Sequence, residues 1–205
     1  MAEDENYFQT IEQPAITEFK DRGSRFIAYT YPIQNVNDFK TYLQQLKKDH
    51  PKAVHHCFAY RLGPGSNVFR VSDDGEPSGT AGKPILGQID SKGLTNVLVI
   101  VVRYFGGTLL GVPGLINAYK TAAAMALQLS PALQKPVTVC WQVTFGYLQM
   151  NEIMRWIKAF NCNIRQHEMQ LFCKLIIEVP RSRMNELKNL LNDMHDVEIK
   201  QIAVL

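Results

Sequence analysis

The chain is short of cysteine, of net charge and of long apolar runs, and each shortage removes a class of protein. Its four cysteines, Cys57, Cys140, Cys162 and Cys173, make no CxxC pair and no zinc-finger spacing. They read as free, mostly buried thiols in a reducing cytoplasm. The formal net charge is only +3, and neither side of Lys135 is a strongly basic module. Nucleic acid is therefore not expected to be held by bulk charge, which leaves a local basic patch as the way to hold it. The longest apolar run, Val97 to Val102, has the length of a strand and falls far short of a membrane span. The first residues, Met-Ala-Glu-Asp-Glu-Asn, are acidic and polar, unlike a secretory signal. A cytoplasmic protein with no membrane partner is the expectation.

What is present is the composition of a globular protein, 46% hydrophobic and 20% charged, in 205 residues. That length suits one large domain or two small ones. An edge strand is expected before Glu18, and Phe26 to Tyr31 reads as a strand ending at Pro32. Asn37 or Asp38 can cap a helix from Phe39 to about Lys48. His55 to Leu62 and Val68 to Val71 read as strands around a Gly63-Pro64-Gly65 turn. Pro84 to about Asp90 reads as a helix with proline near its first turn. Asn96 to Tyr104 is apolar on both faces, as a strand in the middle of a sheet is. Gly114 to Leu129 is an alanine-rich helix.

Ser130-Pro131 and Lys135-Pro136 bracket a breaker segment, after which the pattern restarts. Strands over Val137 to Phe145, Asn163 to Gln170, Leu171 to Val179 and Val197 to Val204 are interleaved with helices over Tyr147 to Phe160 and Arg183 to Met194. That order is the split βαβ, ferredoxin-like unit. The expected organisation is thus an α/β (α+β) domain over residues 1–133 and a ferredoxin-like βαββαβ domain over 134–205. Trp141, Phe145, Trp156 and Phe160 are most simply core of the second.

The stretch Ser72 to Pro84 has the least ordinary composition. Asp73, Asp74 and Glu76 lie within four residues of one another. They could hold a hard cation such as Mg2+, act as acid and base, or satisfy backbone amides in a turn. Gly79-Thr80-Ala81-Gly82-Lys83 resembles a phosphate loop but lacks its first glycine and its final Ser/Thr, where Pro77 and Pro84 stand. What survives is a run of small residues whose amides can turn toward an anion, with Lys83 as a point charge.

A second glycine-rich segment, Gly106-Gly107 with Gly111 and Gly114, joins a strand to a helix without the G-x-G-x-x-G spacing. It allows either close approach to a phosphate backbone or tight packing. Arg103 and Tyr104 beside it could supply a cation and a stacking face. In His55-His56-Cys57, alternation along a strand puts His55 and Cys57 on one face and His56 on the other; with His50 on a helix end, a four-ligand metal site would need a fourth partner from the acidic loop.

The segments Ser24-Arg25-Phe26-Ile27, His55-His56-Cys57, Ser72 to Pro84 and Val101 to Ala118 resemble the YigZ group, the bacterial branch of the IMPACT family. SDDGEPSGTAGKPIL and VVRYFGGTLLG carry the resemblance. It implies a first domain similar to domain IV of elongation factor G and a second similar to that factor's domain V. It also implies a place in translation or its control, since eukaryotic members are linked to inhibition of an amino-acid-starvation kinase pathway.

Three functions follow as expectations. The first is a non-enzymatic protein that binds RNA or the ribosome through Arg25, Lys83, Arg103, Tyr104, Gly106, Gly107 and Lys120. The second is a metal-dependent enzyme on a phosphorylated or nucleotide ligand, using Asp73, Asp74 and Glu76. The third is a module that binds a protein partner in translation control. No cofactor is expected under the first reading, and Mg2+ under the second. His55, His56, Gly79, Thr80 and Gly82 complete the motif residues.

Overall fold

The computed structural model describes residues 6–170 and 172–202, which divide into two units, one of residues 8–135 and one built mainly from residue 136 onward. In the first unit the strands β1 (Tyr7–Ile11), β2 (Ala15–Asp21) and β3 (Ser24–Pro32) lead to helix α1 (Val36–Asp49). β4 (His55–Leu62), β5 (Val68–Ser72), α2 (Gly82–Ser91), β6 (Val97–Tyr104), α3 (Gly111–Leu129) and β7 (Ala132–Pro136) follow.

β2 to β6 form an antiparallel sheet in the order β2-β3-β6-β4-β5. The apolar run of β6 takes the centre because the helices cover both faces there, and Val97 to Val102 are all buried. On one face α2 and α3 pack their Ile85, Ile89, Leu115 and alanines 118, 122, 123 and 126 against Phe26, Cys57, Val99 and Val101. On the other, Phe39 and Leu46 of α1 cover Tyr29, Phe58, Tyr60, Leu98 and Ile100.

Helix α1 starts earlier than its sequence suggested. Asn35 is the cap, its side chain accepting from the amides of Asn37 and Asp38, while the Asp38 carboxylate accepts from the Asn35 amide. Asp38 is thus the return partner of a capping box and Asn37 lies inside the helix. The expected breaker segment is a strand: β7 pairs with β1, and Glu12 N–H donates to Pro131 O at 3.1 Å. The two prolines sit just before and at the end of this strand, where a missing N–H removes no interior bond.

The second unit runs β8 (Thr138–Phe145), a single 3-10 turn over 147–149, α4 (Met150–Ala159), β9 (Asn163–Met169), β10 (Cys173–Pro180), α5 (Met184–Asn192) and β11 (Val197–Ile202). Its antiparallel sheet has the order β11-β8-β10-β9, so the two central strands are the first and third of the unit, as in a ferredoxin-like fold. Trp141, Phe145 and Phe160 are buried with Ile153, Ile157, Leu175 and Leu187, and Trp156 packs partly buried against them. The end of the last expected strand, Val204, lies outside the described residues.

Candidate functional site

Strand register gathers the sequence motifs at one end of the first unit's sheet. Arg25 at the start of β3 is opposite Tyr104 at the end of β6, and His55 at the start of β4 is opposite Arg103. β5 runs parallel to β6, so the acidic loop that follows it, the N-terminus of α2 and the loop into α3 all leave from this same end. α1 returns to it at His50.

The three acidic side chains are spent on the protein itself, each in a different direction. Asp73 accepts from the amides of Gly79 (2.8 Å), Ala81 (3.0 Å) and Gly82 (2.8 Å) at the start of α2. Burial opposes its ionisation, but these amides and the charge of Lys83 outweigh that and hold its carboxyl below the usual range. The run of small residues does turn its amides toward an anion, and that anion is Asp73.

Asp74, in the left-handed region at φ 43°, accepts the His56 amide at 2.7 Å and lies 3.9 Å from Lys47 Nζ. Glu76 is buried, and its Oε1 accepts from Arg103 Nη1 at 2.6 Å and from the Tyr119 hydroxyl at 2.7 Å. Among the described residues no three His, Cys, Asp or Glu side chains converge on a point that could hold a metal ion. The acidic loop does not fit Mg2+ as a three-carboxylate site.

The histidine–cysteine run alternates as a strand requires. His55 Nδ1 lies 2.7 Å from the carbonyl of Asp74, and its Nε2 is 3.9 Å from Glu76 Oε1. Cys57 Sγ is 3.0 Å from the carbonyl of Asp73 and 3.3 Å from the Tyr119 hydroxyl, and burial pushes both its thiol and the Tyr119 phenol well above their usual ranges. His56 faces α1 near Leu46 and His50; burial lowers its pKa, with Asp74 acting the other way. His50 bridges two phenols, Nε2 to Tyr29 at 2.6 Å and Nδ1 to Tyr104 at 2.9 Å. These side chains form a buried polar network in place of a ligand set.

Two of the expected contacts with nucleic acid need correction. Arg103 is 5% exposed and paired with Glu76, so its guanidinium is an internal counter-charge, not a surface phosphate ligand. Tyr104 has its hydroxyl on His50, its ring under the Arg25 guanidinium, 5.6 Å from the centroid, and packs partly buried against the α1-side core, so it is not an open stacking platform. Arg25 is exposed and also pairs with Glu18 at 2.6 Å. Lys83 in the first turn of α2 and Lys120 on α3 are exposed.

The glycines divide between the two roles open to them. A Cβ on Gly106 would lie 1.9 Å from the Gly23 carbonyl carbon, and its amide donates to Ser24 Oγ at 3.2 Å, so Gly106 serves packing against the β2–β3 turn. Gly82 likewise lets α2 approach the backbone of Ser72. Gly107 is exposed at φ 86° with open space around it. Of the other motif residues, Gly79 gives its amide to Asp73, and Thr80 is buried with its hydroxyl donating to Pro77 O at 2.7 Å.

Tyr119 holds Glu76 and Cys57 together without standing out in the sequence. A single phenol among the alanines of a helix's buried face was the available signal for Tyr119, since a buried hydroxyl needs a polar partner.

A mixed α/β chain with an antiparallel five-stranded sheet, a ferredoxin-like second unit and a Glu–Arg–Tyr network under a glycine-rich sheet end defines a recognisable class. Residues 22–127 match the family model described as the Impact N-terminal domain. The chain is 33% identical over 186 residues to "IMPACT family member YigZ" of Escherichia coli (strain K12), covering 89% of this chain and 91% of that protein. It is 32% identical over 166 residues to an IMPACT family member of Haemophilus influenzae, covering 80% and 81%. Protein IMPACT of Xenopus laevis matches more narrowly, 33% identical over 52% of this chain and 36% of its own. A solved structure titled "Crystal structure of an hypothetical protein" superposes with TM-score 0.76 at 29% identity, covering 98% of each chain. The chain belongs to the IMPACT family.

Proposed function

We propose that this protein is a non-enzymatic component of translation or its control that binds RNA or the ribosome through the glycine-rich end of the first unit's sheet. One observation carries the reading: Asp73, Asp74 and Glu76 are each engaged by amides, Arg103 or Tyr119, while Lys83 and Lys120 are exposed, as are Arg22 and Arg25, which pair with Asp21 and Glu18. An end of the sheet whose acids are spent internally and whose cations face water attracts a polyanion despite the small net charge. The loop through Gly106 and Gly107 adds a stretch of backbone without side chains, which a phosphate chain can approach closely. The family resemblance supplies the link to translation.

The test is direct binding of the full chain to ribosomes and to structured RNA across a salt series. Binding should fall steeply with salt, and Lys83→Ala and Lys120→Ala should each weaken it and reduce the salt slope by about one. Absence of binding at low salt overturns the proposal, and so does binding that neither lysine affects.

A further inference from the structure

Phe105 follows the corrected Tyr104 and, like it, carries a guanidinium over its ring, but it is more exposed and has no hydroxyl tied to a partner. Its side chain is 48% exposed. The guanidinium of Arg103 lies 5.7 Å from its ring centroid, and Arg103 is itself fixed by Glu76 at 2.6 Å. The next residue, Gly106, is wedged against Gly23 and Ser24, so the backbone that carries the ring is held on both sides. The ring therefore stands half out of water on a rigid base, with a cation packed against it and no hydroxyl to satisfy.

The elements around it carry groups that suit a nucleotide chain. Gly106 and Gly107 beside it are exposed, and so are Arg22, Lys83 and Lys120 on elements that leave from the same end of the sheet. Resting on the RNA reading above, we propose that this surface takes single-stranded RNA, with an unpaired base stacked on Phe105 and its flanking phosphates along these cations. A duplex hides the faces of its bases against one another, so only an unpaired nucleotide offers the ring a partner. Leu109, just before α3, and Val112 and Ile116 on it are exposed apolar residues that a protein partner would use instead.

The test uses the full chain, a short labelled single-stranded RNA, the same RNA annealed to its complement, and a copy carrying 2-aminopurine. The single strand should bind more tightly than the duplex, and binding should quench the 2-aminopurine. Phe105→Ala should weaken single-strand binding about fivefold or more, leave its salt slope unchanged and abolish the quench. Phe105→Trp should keep all three properties. Phe105 is half exposed and belongs to neither core of the first unit, so thermal melts of both variants should stay close to the parent.

If Phe105→Ala binds as the parent does while Lys83→Ala and Lys120→Ala weaken binding, the stacking proposal fails and the RNA reading stands. Equal loss in Leu109→Ala and Phe105→Ala without any quench overturns stacking on Phe105. If the parent binds no RNA at low salt, both readings fall together.

Discussion

Glu76 and Arg103, 27 residues apart in sequence, meet at 2.6 Å with side chains only 3% and 6% exposed. A carboxylate and a guanidinium this deeply buried hold each other's charge, and Tyr119 donates a further bond to the same oxygen. Removing one partner strands the other. Glu76→Ala or Arg103→Ala should therefore lower unfolding free energy by about 3–5 kcal/mol. The apolar pair Glu76→Leu with Arg103→Met should recover most of that loss. Urea unfolding of the three variants checks this, and an Arg103→Ala protein as stable as the parent would show that the pair has no such role.

Asp73 gives a pH prediction. Its carboxyl is held below the usual range when folded, so its contribution is fully present above the unfolded value of about 4 and is lost as pH falls through the folded value. Asp73→Ala should cost about 2 kcal/mol or more at neutral pH, because three amides lose a charged acceptor. Asp73→Asn should flatten the fall in stability between about pH 5 and pH 2. Urea midpoints across that range measure it, and parallel acid profiles for parent and Asp73→Asn would count against the assignment.

The adjacent glycines 106 and 107 should separate cleanly. Gly107→Ala meets open space and costs only the left-handed backbone, about 1–2 kcal/mol. Gly106→Ala drives a methyl into the backbone of Gly23 and Ser24 and should be far more damaging. Chemical unfolding of the two variants decides; equal losses would mean that the β2–β3 turn yields readily.

The sequence was most legible where a local pattern carries the signal. β4 was readable to the residue, and β6 was central because six consecutive apolar residues need cover on both faces. The ferredoxin-like order followed from periodicity alone. The α1 cap was misplaced by two or three residues because Asp38 is a good cap residue and here acts as the return partner of Asn35. β7 looked like a breaker because prolines flank it, and nothing nearby in sequence shows β1 waiting to pair. Arg103 looked like a surface cation for the same reason: its acid lies on a loop that only the folded sheet brings back. Chemistry made by distant partners was the part that local reading could not reach.

The pairing of β1 with β7 also bears on the order in which the chain can mature. The hydrogen bond from Glu12 to Pro131 joins residues that emerge from the ribosome far apart in time. Strands β2 to β6 can assemble as they are synthesised, but β1, bridged at Gln9 to Leu94, gains its partner strand only when residues 132–136 have been made. Through that interval Ile11, fully enclosed in the finished protein, lacks the last strand of its surroundings. Closure of the first unit therefore reports that its synthesis is complete, and a nascent chain halted before Pro131 would carry an amino-terminal strand held at Leu94 to Asn96 but with its other edge open to chaperones and proteases.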